Sequence, residues 1–216
     1  MSYVYTSRPY RDEEKQSAIK ELLHNTAPDR DFYLLLMGAV LLAVFGIFLD
    51  SIPVLIASMI VAPLAYPILG LGLGIVVRDW RIIVRSFGTL LLSSCIAIVV
   101  AAVVTFFFGG IRVDPVFISF ESNLYVAIAI ALIAGFIAAY GLMRPKVGGA
   151  MTGIGIAVSL MPPLVATGIG FADVNSFPPA LTFLVFLLNV GGILLGSMFT
   201  FIFMGFHGVY RQMMHP

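Results

Sequence analysis

Six long apolar segments dominate this sequence and leave few ways for it to fold. They lie at residues 32–49, 53–77, 86–108, 124–142, 149–171 and 180–206. At a rise of about 1.5 Å per residue, each is long enough as a helix to cross about 30 Å of hydrocarbon. The chain is 60% hydrophobic and 11% charged, whereas a soluble domain has roughly 25% charged residues. The sequence therefore predicts an all-α, polytopic membrane bundle of six spans.

Lysine and arginine residues predict how these segments are oriented, because cytoplasmic loops are enriched in both. If all six segments cross, eleven basic residues lie on one side and one, Arg112, lies on the other. The eleven are Arg8, Arg11, Lys15, Lys20, Arg30, Arg78, Arg81, Arg85, Arg144, Lys146 and Arg211. If the second and fifth segments were re-entrant loops, the split would be seven to five. We therefore predict six crossings, with both termini on the cytoplasmic face of a cell inner membrane.

The second and fifth segments are both interrupted by proline and glycine, and they resemble each other. VAPLAYPILGLGLG (61–74) aligns with MPPLVATGIG (161–170), and TFFFGG (105–110) aligns with TFIFMG (200–205). Three crossings per half make the repeats inverted, and paired broken spans in such repeats indicate a transport site. The predicted units are a cytoplasmic segment 1–30, repeat 1 at 31–110, an external loop 111–123, repeat 2 at 124–207 and a cytoplasmic tail 208–216.

Each break is expected to leave polar backbone groups in the middle of the membrane. Proline has no amide proton and frees carbonyls, and in hydrocarbon such groups must be satisfied by protein or water. We expect new half-helices to begin near Leu64–Ile68 and Leu164–Gly168, where amide groups favour an anion. Carbonyls near Ile60–Ala62 and Leu160–Pro162 favour a cation, so the backbone alone does not choose between the two.

Neutral polar side chains near the breaks complete the candidate site. The substrate-binding candidates are Pro63, Tyr66, Pro67, Ser94, Ser159, Pro162, Pro163, Thr167 and Asn189. Asp50 and Asp173, at the outer ends, are candidates for an entrance, although such residues are more often solvated boundary charges. The hydroxyl and amide groups also suit hydrogen bonds between neighbouring helices. Because no Asp, Glu, Lys, Arg or His lies in the central part of any span, a proton pump is not favoured.

Several functional classes lack support in the sequence. A net charge of +1 gives no reason to expect nucleic acid as a partner. The lone Cys95 excludes an internal disulfide and argues against a cysteine-based metal site. Hydrolysis needs a nucleophile with a base, or paired carboxylates, and His207, the only histidine near a span, lies at a cytoplasmic end. We therefore predict no enzyme activity, no metal and no cofactor.

Packing is indicated by glycine spacing and by the N-terminal stretch. Pairs four residues apart, Gly70–Gly74, Gly149–Gly153 and Gly192–Gly196, predict close contacts between helices. The first residues have the composition of neither a secretory signal nor a transit peptide. Residues 11–25 are expected to form a short surface helix presenting Ile19, Leu22 and Leu23. Six spans make a small bundle, so a homo-oligomer in the lipid bilayer is expected.

The two halves also resemble a known family of membrane domains. The marks are Ala62-Pro63-Leu64 with Pro67, Met161-Pro162-Pro163-Leu164, and Leu188-Asn189, within about residues 31–206. On these motifs the chain resembles the uncharacterised hydrophobic domain of unknown function 389. Asp50 stands where that family more often has Asn, and Ala57-Ser58 where it often has Gly-Ala. The resemblance implies a prokaryotic membrane domain and brings no agreed substrate.

The function that these features favour is passage of a small ion or small polar solute, by a channel or a carrier. The path would run through the paired breaks near the midplane, flanked by Ser94 and Asn189. The alternative is a non-transporting membrane scaffold or assembly module. In that case the breaks serve packing, and the charged N-terminal segment contacts a soluble partner.

Overall fold

The fold is taken from a computed structural model, which describes residues 12–26, 28–108, 124–142, 160–173, 176 and 178–214. Within these ranges every regular element is a helix. The helices are α1 (Asp12–Asn25), α2 (Arg30–Phe48), α3 (Ile52–Val61), α4 (Ala65–Val77), α5 (Trp80–Phe107), α6 (Leu124–Gly141), α7 (Leu160–Ala172), α8 (Pro179–Phe203) and α9 (Phe206–Met214). The predicted loop 111–123, the pair Gly149–Gly153 and the basic residues Arg112, Arg144 and Lys146 lie outside the described residues.

A membrane bundle of helices is confirmed at the level of helix length and composition. α2, α5 and α8 are long and apolar enough to cross a bilayer, and α3 with α4 adds a fourth span if this bent pair crosses as one unit. The bend is 49° at the break between the two helices. α6 and the described part of α7 are apolar but shorter. Six complete crossings therefore remain a prediction.

Contacts between helices fix their relative directions. The hydroxyl of Thr89, near the start of α5, lies 3.4 Å from the carbonyl oxygen of Thr26, just before α2. At the other end of these helices, the rings of Phe45 and Phe108 meet edge to face with centroids 5.6 Å apart. α2 and α5 therefore run in the same direction, and the chain returns between them through α3 and α4.

In the second half of the chain, α6 and α8 form the most extensive pair among the described helices. A Cβ at Gly192 would lie 2.6 Å from the Cβ of Ala131. Further along both helices, the Thr200 hydroxyl donates to the Phe136 carbonyl at 3.5 Å. The two helices run in the same direction and pack with their backbones close together. The predicted packing role is confirmed for Gly192 and Gly196.

α4 is the central helix of the described bundle. Leu64, Ala65 and all residues from 67 to 74 are buried, because α4 contacts α1, α5, α8 and α9. Its glycines let these neighbours approach: a Cβ at Gly70 would lie 2.6 Å from Ser86 Oγ, and one at Gly72 would lie 2.6 Å from Ser197 Oγ. Gly74 meets Ile83 at the α4–α5 turn, so the predicted contacts at Gly70 and Gly74 are also confirmed.

The N-terminal helix forms where predicted, but its apolar side is not a free surface. Ala18, Ile19 and Leu22 are fully buried, since α1 packs against α4 and α9. α9 is amphipathic, with Phe206 and Val209 buried and His207 exposed, and it crosses the predicted boundary between residues 207 and 208. The sequence pattern revealed an apolar face on α1 but did not reveal which helices cover it.

Candidate functional site

The first break lies in the interior of the bent pair that α3 and α4 form. α3 and α4 contain 10 and 13 residues, which places the break about 15 Å from one end of the pair and about 20 Å from the other. Ala62 and Leu64 are buried and Pro63 is half-buried. Pro63 has no amide proton, so the Met59 carbonyl lacks its usual helical donor. No side chain caps the start of α4, and the break therefore leaves polar backbone groups within the protein interior.

Tyr66 and Pro67 occupy the first turn of α4, as predicted from the sequence. Proline is tolerated there because the first amide groups of a helix have no internal acceptor. Pro67 is buried and Tyr66 is half-buried. The hydroxyl oxygen of Thr26 lies 3.4 Å from the Tyr66 carbonyl oxygen. The end of α1 therefore reaches the α4 backbone within one turn of the break.

The second proline motif is placed differently from the first. α7 is already helical at Leu160, so Pro162 and Pro163 lie inside the described helix, and the expected start near Leu164–Gly168 is wrong. Proline's fixed φ is compatible with helix, so its position in the sequence does not decide whether a helix begins before or after it. Both prolines are half-buried. The two aligned motifs therefore differ in local structure.

Thr167 connects α7 to α8 through a hydrogen bond between side chains. Its hydroxyl lies 2.7 Å from the Pro163 carbonyl oxygen and 3.0 Å from the hydroxyl oxygen of Thr182 on α8. The next residue, Gly168, faces α5, where a Cβ would lie 2.5 Å from the Ile98 carbonyl oxygen. These contacts place α7 against α5 and α8. A meeting of the two breaks at the midplane remains a prediction.

Ser94 and Asn189 are both buried, on α5 and α8. The Ser94 hydroxyl donates to the Leu90 carbonyl at 2.8 Å, within its own helix. This bond fits a side chain that satisfies itself in an apolar interior. The remaining candidate, Ser159, lies outside the described residues.

The two entrance candidates both lie in turns. Asp50 is exposed and follows α2 with a φ of 49°, and the next amide, of Ser51, donates to the Gly46 carbonyl at 2.8 Å. Asp173 is half-buried after α7 and accepts a hydrogen bond of 2.6 Å from the Ser176 hydroxyl. The Asp173 side chain thus has a local structural role after α7, and the backbone of Asp50 forms the turn after α2. A role in solute entry stays a prediction for both.

Two polar groupings were missed by the sequence reasoning. In one, Ser86 of α5 and Thr26 both lie against the Cβ position of Gly70, and the Thr89 hydroxyl lies 3.4 Å from the Thr26 carbonyl oxygen. The other joins Tyr210 of α9 to Asp79, with 2.6 Å between the phenol oxygen and a carboxylate oxygen. That hydrogen bond holds the pKa of Asp79 below its usual value, and burial together with Asp79 raises the pKa of Tyr210 to about 12. The only sequence signal for the first grouping was the helical spacing of the α5 hydroxyls.

Comparison with known proteins decides the family. A family model described as "Domain of unknown function (DUF389)" matches residues 59–195, more than half of the chain. The chain belongs to this family. An uncharacterized protein of Methanocaldococcus jannaschii is 30% identical over 200 residues, an alignment that covers 88% of this chain and 62% of the relative. The chain thus spans less than two thirds of that relative's length. No solved structure matches this chain.

The DUF389 match covers the centre of the candidate site but not the helices that enclose it. Both proline motifs, Ser94 and Asn189 lie within the matched residues. α1 and α9 lie outside the match, although both pack on α4. The family assignment confirms the resemblance seen in the sequence and adds no substrate.

Proposed function

We propose that this DUF389 protein moves a small ion or small polar solute across a prokaryotic inner membrane. One observation carries the proposal: the α3–α4 span is broken in its interior, and α4 is buried among other helices. Irregular backbone at membrane depth is tolerated where protein or a water-filled cavity surrounds it. Broken spans of this kind supply helix ends that bind ions and polar groups in transporters.

The proposed architecture has six spans in two inverted repeats. In its favour, α2 and α5 run in one direction, and α6 and α8 also run parallel to each other. α8 ends where α5 begins, because α9 follows α8 directly and Tyr210 of α9 bonds to Asp79. α5 and α8 therefore point in opposite directions, as inverted repeats require.

The same contacts support the proposed orientation. α1 and α9 pack together, at the end of the bundle where Arg78, Arg81 and Arg85 are exposed. Cytoplasmic loops are enriched in such residues. Both termini would then lie on the cytoplasmic side.

The proposed path uses the end of α3, the start of α4 and neutral side chains around them. A carrier or a channel built this way needs no proton-transfer residue and performs no chemistry on its solute. Tyr66 would border the path in the first half, and Thr167 in the second. The membrane lipid and the transported solute are the partners that this function implies, and a homo-oligomer remains part of the proposal.

Ion flux into proteoliposomes tests the proposal. The purified protein is screened for flux of small cations, anions and protons, and Pro63→Ala is compared with Pro53→Ala. Pro53 is exposed at the first turn of α3, so its substitution removes a proline away from the break. We expect selective flux that falls in the folded Pro63→Ala protein and persists in Pro53→Ala. Equal flux in both variants would place the path elsewhere.

Cysteine accessibility distinguishes transport from the scaffold alternative. In a background with Cys95 replaced, cysteines at Tyr66 and Thr167 are treated with a membrane-impermeant thiol reagent. A water-filled path predicts labelling at these positions. Protection of both, together with no flux above empty liposomes for any solute, would favour a scaffold whose breaks serve packing.

A further inference from the structure

A buried group of oxygen atoms surrounds Gly70 at the junction of α1, α4 and α5. A Cβ at Gly70 would lie 2.6 Å from Ser86 Oγ and 2.8 Å from Thr26 Oγ1. The hydroxyl of Thr89 lies 3.4 Å from the Thr26 carbonyl oxygen, and Thr26 Oγ1 lies 3.4 Å from the Tyr66 carbonyl oxygen. Three helices thus bring hydroxyl and carbonyl oxygens together beside a residue that has no side chain.

Ser86 is the unexplained member of this group. Its side chain is fully buried, and within the described part of the chain its hydroxyl has no hydrogen-bond partner. A buried hydroxyl without a partner loses its hydration and regains nothing. The Ser86 hydroxyl lies over the side of Gly70 that carries no side chain, close to the Thr26 hydroxyl. A ligand bound there would supply the partner that the Ser86 hydroxyl lacks.

The distribution of protons indicates what kind of ligand the group accepts. The Thr26 hydroxyl donates to the Leu22 carbonyl at 2.7 Å, and the Thr89 hydroxyl donates to the Arg85 carbonyl at 3.0 Å. Both protons are therefore committed to bonds much shorter than the 3.4 Å contacts. What the two threonines present to the junction is mainly acceptor lone pairs, which suit a positively charged ligand.

The electrostatic surroundings of the junction also favour a positively charged ligand. α1 ends at Asn25, so the negative end of its helix dipole points towards Thr26 and the junction. Helix C-terminal ends and backbone carbonyls are the groups that coordinate Na⁺ inside membrane proteins. Arg85, the nearest basic residue along α5, is exposed and lies about 100° around the helix from Ser86, which is buried. No carboxylate is among these oxygens, whereas Ca²⁺ and Mg²⁺ sites usually include one.

We propose that Thr26, Ser86, Thr89 and the Tyr66 carbonyl bind a small monovalent cation such as Na⁺. The site lies between α1 and the α4–α5 hairpin, so its occupancy would fasten the N-terminal helix to the broken span. Cation binding here does not require the proposed transport, and it is measured without any flux. A failure of one proposal therefore leaves the other standing.

The test follows thermal unfolding of the full chain in detergent. The melting temperature is measured over a NaCl series in which choline chloride keeps the ionic strength constant. We expect a saturable rise with Na⁺, since a ligand that binds only the folded state stabilises it. In Ser86→Ala the rise disappears, or its half-saturating Na⁺ concentration increases by about tenfold or more.

The salt conditions also separate a bound cation from a bound water. In choline chloride, Ser86→Ala is expected to be at least as stable as the wild type, because it removes a buried unpartnered hydroxyl. In NaCl the order reverses. Ser93→Ala is the matched control: Ser93 is equally buried on α5, but its hydroxyl donates to the Thr89 carbonyl, so its response to Na⁺ is retained.

Two results would overturn the cation site. One is a wild-type melting temperature that does not differ between NaCl and choline chloride. The other is a Ser86→Ala effect of the same size in both salts, as a buried water would produce. Thr89→Val provides a second variant if Ser86→Ala does not fold, and an unchanged Na⁺ response in that variant counts equally against the site.

Discussion

The Tyr210 hydroxyl donates to a carboxylate oxygen of Asp79 at 2.6 Å, joining residues that are 131 positions apart. The other oxygen of Asp79 accepts the Arg81 amide at 2.8 Å and caps the start of α5. One carboxylate therefore holds both the first turn of a long membrane helix and the C-terminal helix α9. Because α9 also packs on α1, this bond connects the two ends of the described chain.

Removing this bond should destabilise the protein without disturbing the α5 cap. Tyr210→Phe is expected to cost about 1.5 kcal/mol, the lower range for a hydrogen bond to a charged group. Asp79→Ala should cost more, because it removes the cap as well. Thermal unfolding in detergent measures both. The interpretation is wrong if Tyr210→Phe costs as much as Asp79→Ala.

The pH dependence of stability should report the same pair. Asp79 has a lowered pKa, so its contribution is present above the usual aspartate pKa and is lost as the pH falls through the lowered value. Tyr210 has a pKa raised to about 12. Its contribution is present below the usual tyrosine value of about 10 and is lost as the pH rises through 12. Tyr210→Phe should flatten both ends of a plot of melting temperature against pH, whereas a profile like that of the wild type would argue against the pair.

The sequence located the membrane helices well because hydrophobicity depends on local composition. The predicted segment 53–77 corresponds to α3 and α4, and its interruption at Pro63 is where the span bends. The predicted segment 180–206 corresponds closely to α8. These features follow from neighbouring residues, so no knowledge of the fold was needed.

Contacts between distant residues were beyond the sequence. Nothing near Tyr210 indicates Asp79 as its partner, and nothing near Ile19 indicates that α4 and α9 cover it. The proline motifs show a different limit: proline is compatible with a break, as at Pro63, and with a helix, as at Pro163. The packing of neighbouring helices decides between these outcomes, and a local sequence pattern does not contain that information.

The contact between α6 and α8 should depend on Gly196. A Cβ there would overlap the carbonyl oxygen of Leu132, so Gly196→Ala must separate the two helices, and we expect a loss of about 2 kcal/mol or more. Gly191→Ala is the matched control, since no atom lies within 4 Å of its Cβ position. That variant should be neutral or stabilising by up to about 1 kcal/mol, the helix preference of alanine over glycine. Equal melting temperatures for the two variants would contradict the close packing.

The backbone at Arg78 should be strained by its side chain. Arg78 ends α4 with a φ of 59°, and the following amide, of Asp79, donates to the Gly74 carbonyl at 3.0 Å. A residue with a Cβ costs roughly 1 kcal/mol more than glycine in this conformation. Arg78→Gly should therefore be about 1 kcal/mol more stable than Arg78→Ala, which removes the same charge. If the two variants unfold at the same temperature, the turn does not store this strain.

The hydroxyl pair between α7 and α8 should contribute a small coupling energy. Thr167 and Thr182 are both buried, with their oxygens 3.0 Å apart. Each hydroxyl also has a carbonyl acceptor close by, at Pro163 and Pro179, so neither depends wholly on the other. In a double-mutant cycle with valine at both positions we expect a coupling of about 0.6 kcal/mol, the average for such bonds in membrane proteins. A coupling near zero would mean that shape, rather than this hydrogen bond, holds α7 against α8. A coupling well above 2 kcal/mol would mean that the two hydroxyls act as one unit and that the carbonyl bonds do not replace a missing partner.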